Sequence, residues 1–146
     1  MREIVFDTET TGLYATSGDR VTEVGCVEII DFIPTGRTWH AYVNPQRTTP
    51  KEVVEITGLT DAFLADKPLF SQVAEEFIDF VGDAGLVAHN APFDRGFINM
   101  ELERLGRPGY AEARFKDTAR IARAKFPGSY VSLDALCKRF DISLES

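Results

Sequence analysis

The chain has 146 residues and a mass of 16.3 kDa, 44% of them hydrophobic, with Phe supplying 11 of its aromatics. That is one domain able to bury a core without a disulfide or metal staple, and it excludes disordered, collagen-like and low-complexity classes. The net charge of −7 hides a split: residues 1–94 carry a net −10, suited to cations, and residues 95–139 a net +5, suited to a phosphate-bearing partner.

No apolar run nears the roughly 18 residues of a membrane span. The N-terminus lacks the small-residue cleavage site of a secretory signal. Cys26 and Cys137 lie far apart in apolar patterns, so they read as reduced thiols and not as a zinc site. The expectation is a cytoplasmic protein without a membrane partner. No internal repeat or linker divides residues 1–146.

In chain order, residues 4–6 read as a short buried strand, followed by a Thr-rich turn over 8–12. Residues 21–30, rich in Val and Ile, make a second strand. Residues 31–36, with Pro34, form a connection to a third strand over 38–43, giving an antiparallel meander. A helix over 51–56 follows Pro50 and stops at Gly58. Thr60 caps a short turn over 61–64. Phe70, Val73, Ala74, Phe77, Ile78 and Val81 recur at helical spacing over 70–81. Residues 86–88 are a buried strand between Gly85 and Asn90-Ala91-Pro92. A helix over 93–105 strings Phe93, Phe97, Met100 and Arg104 along one line. Residues 115–116 form a fifth strand, and helices cover 117–126 and 132–140. Strands followed by strands alternating with helices indicate an α/β domain with a mixed sheet.

The chemistry sits in Phe6-Asp7-Thr8-Glu9-Thr10-Thr11-Gly12. Side chains alternate along a strand, so Asp7 and Glu9 face the same side, with their roots roughly 6–7 Å apart. Like charges this close raise each other's pKa unless a cation intervenes. The Gly12 turn lets a substrate backbone come close. Taken alone, the pair also fits a turn-forming Asp and a solvated Glu. A second strand end, Val87-Ala88-His89-Asn90-Ala91-Pro92-Phe93-Asp94, brings another carboxylate at the start of a helix. Ligand sites in open α/β sheets form at strand ends, so Asp7, Glu9 and Asp94 are expected at one edge. Carboxylates without Cys and with little His select Mg²⁺ or Mn²⁺, the ions of phosphoryl chemistry.

These motifs, together with Thr57-Gly58-Leu59-Thr60, Asp66-Lys67-Pro68 and Ser132-Leu133-Asp134-Ala135-Leu136, resemble the proofreading 3′–5′ exonucleases with Asp-Glu-Asp-Asp active sites that serve bacterial replicative DNA polymerase. The resemblance runs over nearly the whole chain. It implies a ribonuclease-H-like three-layer fold with a five-stranded mixed sheet. It implies two divalent cations, Mg²⁺ or Mn²⁺, held by Asp7, Glu9 and Asp94 as the catalytic residues, with Asp7 bridging both ions. The substrate would be a single-stranded 3′ end of DNA, or of RNA, and a DNA polymerase subunit would be a partner. Thr10, Thr11 and Gly12 would hold the terminal nucleotide, and His89 and Asn90 would shape the site edge. Phe93 and Phe97 would pack their helix against the sheet.

The family's third motif, a His followed five residues later by an Asp, supplies the general base and the fourth metal ligand. It does not occur before Ser146, and neither His40 nor His89 stands in its place. The chain therefore reads as a C-terminally truncated exonuclease domain, with apolar sheet surface left uncovered and marginal stability or self-association as the consequence. Two competitors stand beside it. One is a degenerate family member that binds nucleic acid or a polymerase without cutting. The other is an aspartyl-phosphate phosphatase, which also places an acid-rich loop after its first strand; the acid expected after Gly82-Asp83 is replaced by Val87.

Overall fold

A computed structural model describes residues 1–139. One five-stranded sheet, in the order β3-β2-β1-β4-β5, carries the helices. The strands are β1 (Arg2–Thr10), β2 (Val21–Ile30), β3 (Ile33–Tyr42), β4 (Gly85–Ala88) and β5 (Phe115–Asp117). The helices are α1 (Lys51–Thr57), α2 (Asp61–Leu64), α3 (Phe70–Val81), α4 (Ala91–Arg104), α5 (Thr118–Lys125) and α6 (Leu133–Arg139). The pairing is antiparallel for β1–β2 and β2–β3, and parallel for β1–β4 and β4–β5, so the sheet is mixed as expected.

The core lies on one face of this sheet. Ile4, Phe6, Val24 and Cys26 point into it and meet Phe70, Phe77 and Val81 of α3 and Phe97, Ile98 and Leu102 of α4. Burying a Phe or Leu side chain is worth about 1.5–3 kcal/mol, so these two helices anchor the fold. Phe97 packs as expected, with the Phe93 ring 4.9 Å away and partly buried. The line through Met100 and Arg104 does not face the core; Glu101 and Leu102 do. On the opposite face Val5 and Val27, directly paired, are exposed.

Two boundaries differ from expectation in ways that matter. First, β1 continues through Thr10, so Thr8 to Thr10 are strand and not turn. Pairing with β2, in register from Arg2–Ile30 to Glu9–Glu23 and resumed after a bulge at Thr10–Val21, holds them extended. Second, the β2–β3 connection is only Asp31 and Phe32, both with positive φ (49° and 71°). This is the backbone of a tight hairpin turn whose twist matches the strands it joins. Pro34 then falls inside β3, which is tolerated because β3 is an edge strand. Similarly, α4 starts at Ala91, since Pro92 is accepted in a first helical turn. Phe140, the end of the expected last helix, lies outside the described residues.

Candidate active site

The site begins where β1 outruns its parallel neighbour. β4 pairs with Glu3, Ile4 and Val5 only, and then turns away into α4. Beyond Val5 the β1 backbone has a strand partner on one side alone. The N-terminus of α4 fills the gap. Asp94 Oδ1 accepts the Thr8 N–H at 3.2 Å and the Thr8 hydroxyl at 2.5 Å. A backbone donor that the sheet cannot satisfy is thus taken by a helix carboxylate.

Alternation places Val5, Asp7 and Glu9 on the outer face and Ile4, Phe6, Thr8 and Thr10 in the interior. Asp7 is exposed and Glu9 half-buried. Asp94 is 3% exposed. All three carboxyls are harder to ionise than usual. Burial pushes Asp94 up to about 7; the Thr8 hydroxyl and N–H oppose this, and the charges of Asp7 and Glu9 add to it. For Asp7 burial by its surroundings acts first, against the Thr8 N–H, and Glu23 raises it further. For Glu9 burial again leads, followed by Asp7 and Glu23. All three carboxyls thus stand at the same end of β1, Asp7 and Glu9 on its outer face and Asp94 against Thr8 between them. Among the described residues, however, no three His, Cys, Asp or Glu groups are gathered closely enough to cage an ion. The donor set is all oxygen, which suits a hard divalent cation.

Glu23 is the acid that sequence reading passed over. It lies on β2 directly opposite Glu9 and bonds His40 Nε2 at 2.6 Å. Alternation along Val21 to Val27 marks it as outward-facing. Only the register across the long loop over 11–20 brings it to Glu9.

The turn after β1 is closed on itself. Thr10 Oγ1 donates to the Gly12 carbonyl at 2.6 Å, and Thr11 Oγ1 donates to Asp19 at 3.0 Å. Both threonines are buried, so their hydroxyls are committed within the turn. A Cβ on Gly12 would collide with the Asp19 carboxylate. The space beside Gly12 is therefore occupied by Asp19 and not left open.

The other wall is the β4–α4 turn. Asn90 adopts a left-handed backbone (φ 69°), and its N–H donates to Asp117 Oδ1 at 2.9 Å. The same oxygen caps α5 through Ala119 N at 3.0 Å. His89 Nδ1 meets Thr118 Oγ1 at 2.9 Å, and Nε2 donates to the Val131 carbonyl at 2.7 Å. His89 thus ties the turn to the segment around α5 and α6, and neither ring nitrogen is spare.

A family model described as Exonuclease matches residues 4–145. The DNA polymerase III subunit epsilon of Rickettsia conorii is 47% identical over 145 residues, covering 97% of this chain and 63% of the relative. The same subunit from Escherichia coli is 42% identical over 148 residues, covering 97% and 61%. The chain thus spans under two thirds of the length of these relatives. Among solved structures, Exonuclease X in complex with 5′ overhanging duplex DNA superposes with a TM-score of 0.78 at 28% identity, covering 99% of this chain and 76% of that one. Exonuclease I superposes with a TM-score of 0.85 at 20% identity, covering 97% and 37%. The latter likeness bears on the fold alone, and both neighbours have the ribonuclease-H-like architecture. None of these supports a phosphatase.

Proposed function

Because this chain belongs to the exonuclease family, we propose that it contributes the catalytic edge of a metal-dependent 3′–5′ exonuclease that trims single-stranded 3′ ends of DNA, as a proofreader working beside a DNA polymerase subunit. The observation that supports this reading is the overhanging end of β1, where burial makes Asp7, Glu9 and Asp94 harder to ionise and the charge of Asp7 adds to this at both Glu9 and Asp94. Such crowding is unfavourable unless positive charge is brought in.

Asp7, Glu9 and Asp94 would hold Mg²⁺ or Mn²⁺, two ions in this reading. When bound, such ions help ionise water and stabilise the leaving oxygen of a phosphodiester. The protein's own residues supply position. Thr8 fixes the Asp94 carboxyl by two donors. The closed Thr10–Gly12 turn offers a rigid edge to the terminal nucleotide, by shape and backbone. His89 and Asn90 hold the facing wall in register with α5.

The test is a nuclease assay on a 5′-labelled single strand with Mn²⁺ or Mg²⁺. Stepwise shortening from the 3′ end is expected, abolished by EDTA and by Asp7→Ala. Calorimetry showing equal Mn²⁺ affinity in wild type and Asp7→Ala would sink the metal assignment. A second reading, binding without cutting, draws on one observation: both His89 nitrogens are engaged with Thr118 and the Val131 carbonyl, so the imidazole at the site wall is not poised as a base. Retained strand binding with no shortening in Mn²⁺ is its signature.

A further inference from the structure

A cavity of about 560 Å³ opens beside the loop that follows β1, lined by Gly18, Arg20, Gln46, Arg47, Thr48 and Arg104. Three guanidinium groups meet there from three separate stretches: the β1–β2 loop, the β3–α1 loop and the last turn of α4. Linear charge counts hide this, because Arg20 and Arg47 belong to the acidic part of the chain.

Carboxylates account for only part of it. Glu101, 1% exposed, accepts Arg20 Nε at 2.9 Å and Nη2 at 2.7 Å, and Arg104 Nη1 lies 3.5 Å away. Arg47 Nη1 donates to the Gly18 carbonyl and sits 3.5 Å from Asp19. Two carboxylates thus face three guanidiniums, each with five N–H donors. A buried glutamate needs one arginine, and Arg20 already donates to both its oxygens, with the Val21 N–H beside it. That explains Arg20 and leaves one positive charge in excess of the two carboxylates, with N–H donors to spare on Arg47 and Arg104. A Cβ on Gly18 would lie 3.1 Å from Arg47 Nη1, so glycine there keeps room for the guanidinium. Gln46 and Thr48 add neutral polar groups, and no apolar side chain lines the space. Such a lining matches an anion with several acceptor oxygens, which arginine forks recognise best.

The cavity is also wired to the site. Thr11 N donates to the Arg20 carbonyl at 2.8 Å, and Arg20 N donates to Thr11 Oγ1 at 3.0 Å. Arg20 therefore stands on the same closed turn that borders Asp7 and Glu9, and Arg47 reaches the same loop through the Gly18 carbonyl.

We propose that this cavity is a phosphate-binding subsite that takes a backbone phosphate of the strand, upstream of the 3′-terminal nucleotide. This rests on the reading above that the 3′ end lies at the carboxylates. The experiment is fluorescence anisotropy with 5′-labelled dT12 in EDTA, from 50 to 200 mM salt. It compares wild type, Arg47→Gln, Arg104→Gln and, as an equal charge change elsewhere, Lys125→Gln on exposed α5. Circular dichroism verifies folding. Each arginine variant is expected to bind dT12 about tenfold more weakly and to lower the slope of log K against log salt by about 0.7, the loss of one single-strand phosphate contact. Lys125→Gln should keep the wild-type slope. Arg20 is left intact because it satisfies buried Glu101. A parallel titration with inorganic phosphate separates the two sources of this chemistry. If the variants lose only inorganic phosphate affinity, with dT12 binding and slope as in wild type, the strand assignment is overturned. Equal slopes in all four proteins, or no dT12 binding by the wild type, overturn the subsite. Failure of the Asp7→Ala cleavage test would instead strike the functional reading.

Discussion

Asp94 shows how one side chain can serve structure and chemistry together. Its carboxyl terminates a sheet hydrogen bond that β4 cannot make, and pays for the place with a pKa pushed up to about 7. The Thr8 hydroxyl favours the ionised form, so Thr8→Val should move the Asp94 titration above the wild-type midpoint, as followed by carbon-detected NMR in EDTA; an unmoved midpoint would remove Thr8 from the account. Activity should respond more sharply at the carboxylates themselves. Asp7→Asn and Asp94→Asn are each expected to reduce 3′-end shortening by roughly 10²-fold or more, the scale of removing one preorganised charged group, with initial rates in Mn²⁺ as the measurement. Cys26 offers a residue-level check on the core. Burial pushes its thiol up to about 12, so it should resist a thiol reagent at pH 8 in the folded protein and react fully in denaturant.

At the level of elements, the hairpin and the turns decide where the site stands. Glu28 on β2 binds Arg2 at 2.6 Å and Thr35 at 2.7 Å, and Arg37 lies at 3.0 Å. Arg2 in turn donates to the Val81 carbonyl at 2.8 Å, so one acid joins β1, β2, β3 and the end of α3. These partners, the Arg2 hydrogen bond first, hold the Glu28 pKa below its usual 4.5. A lowered carboxylate contributes stability that is present above 4.5 and lost as pH falls through the folded value. The stability gap between wild type and Glu28→Gln should therefore be open at pH 7 and close below pH 4.5 in urea melts. Asn90 makes a comparable case for a turn. Its left-handed backbone joins β4 to α4, and Asn tolerates that region better than Ala does. Asn90→Ala should cost about 1 kcal/mol, while Asn90→Gly leaves stability close to wild type.

For the molecule as a whole, the two faces of the sheet have different duties. The covered face holds the fold: Phe77 is fully buried, its ring centroid 5.6 Å from that of Trp39. Phe77→Ala should cost about 3–5 kcal/mol in a denaturant titration. The outer face carries Asp7, Glu9, Glu23 and the exposed Val5–Val27 pair. Replacing Val27 by Thr there should change stability by no more than about 0.5 kcal/mol. No helix among the described residues is long and apolar enough to cross a membrane.

The sequence alone determined the order of elements and the three carboxylates, because both leave local marks. Helical spacing from Phe70 to Val81 and the acid-bearing strand ends are legible without any distant partner. Asp7 and Glu9 sharing a face follows from strand alternation alone. The rest needed contacts between segments far apart in the chain. β1 reads as three residues until β2 pairs along its full length. Glu23 carries no local mark of the site, and only register sets it against Glu9. Glu101 carries no local mark of burial, and only Arg20, 81 positions earlier, gives it a counter-charge in the interior. Arg47 and Arg104 become neighbours only around the resulting cavity. Local pattern reports which backbone a segment prefers; where a charge ends up depends on which remote segment supplies its counter-charge, and only the packed structure decides that.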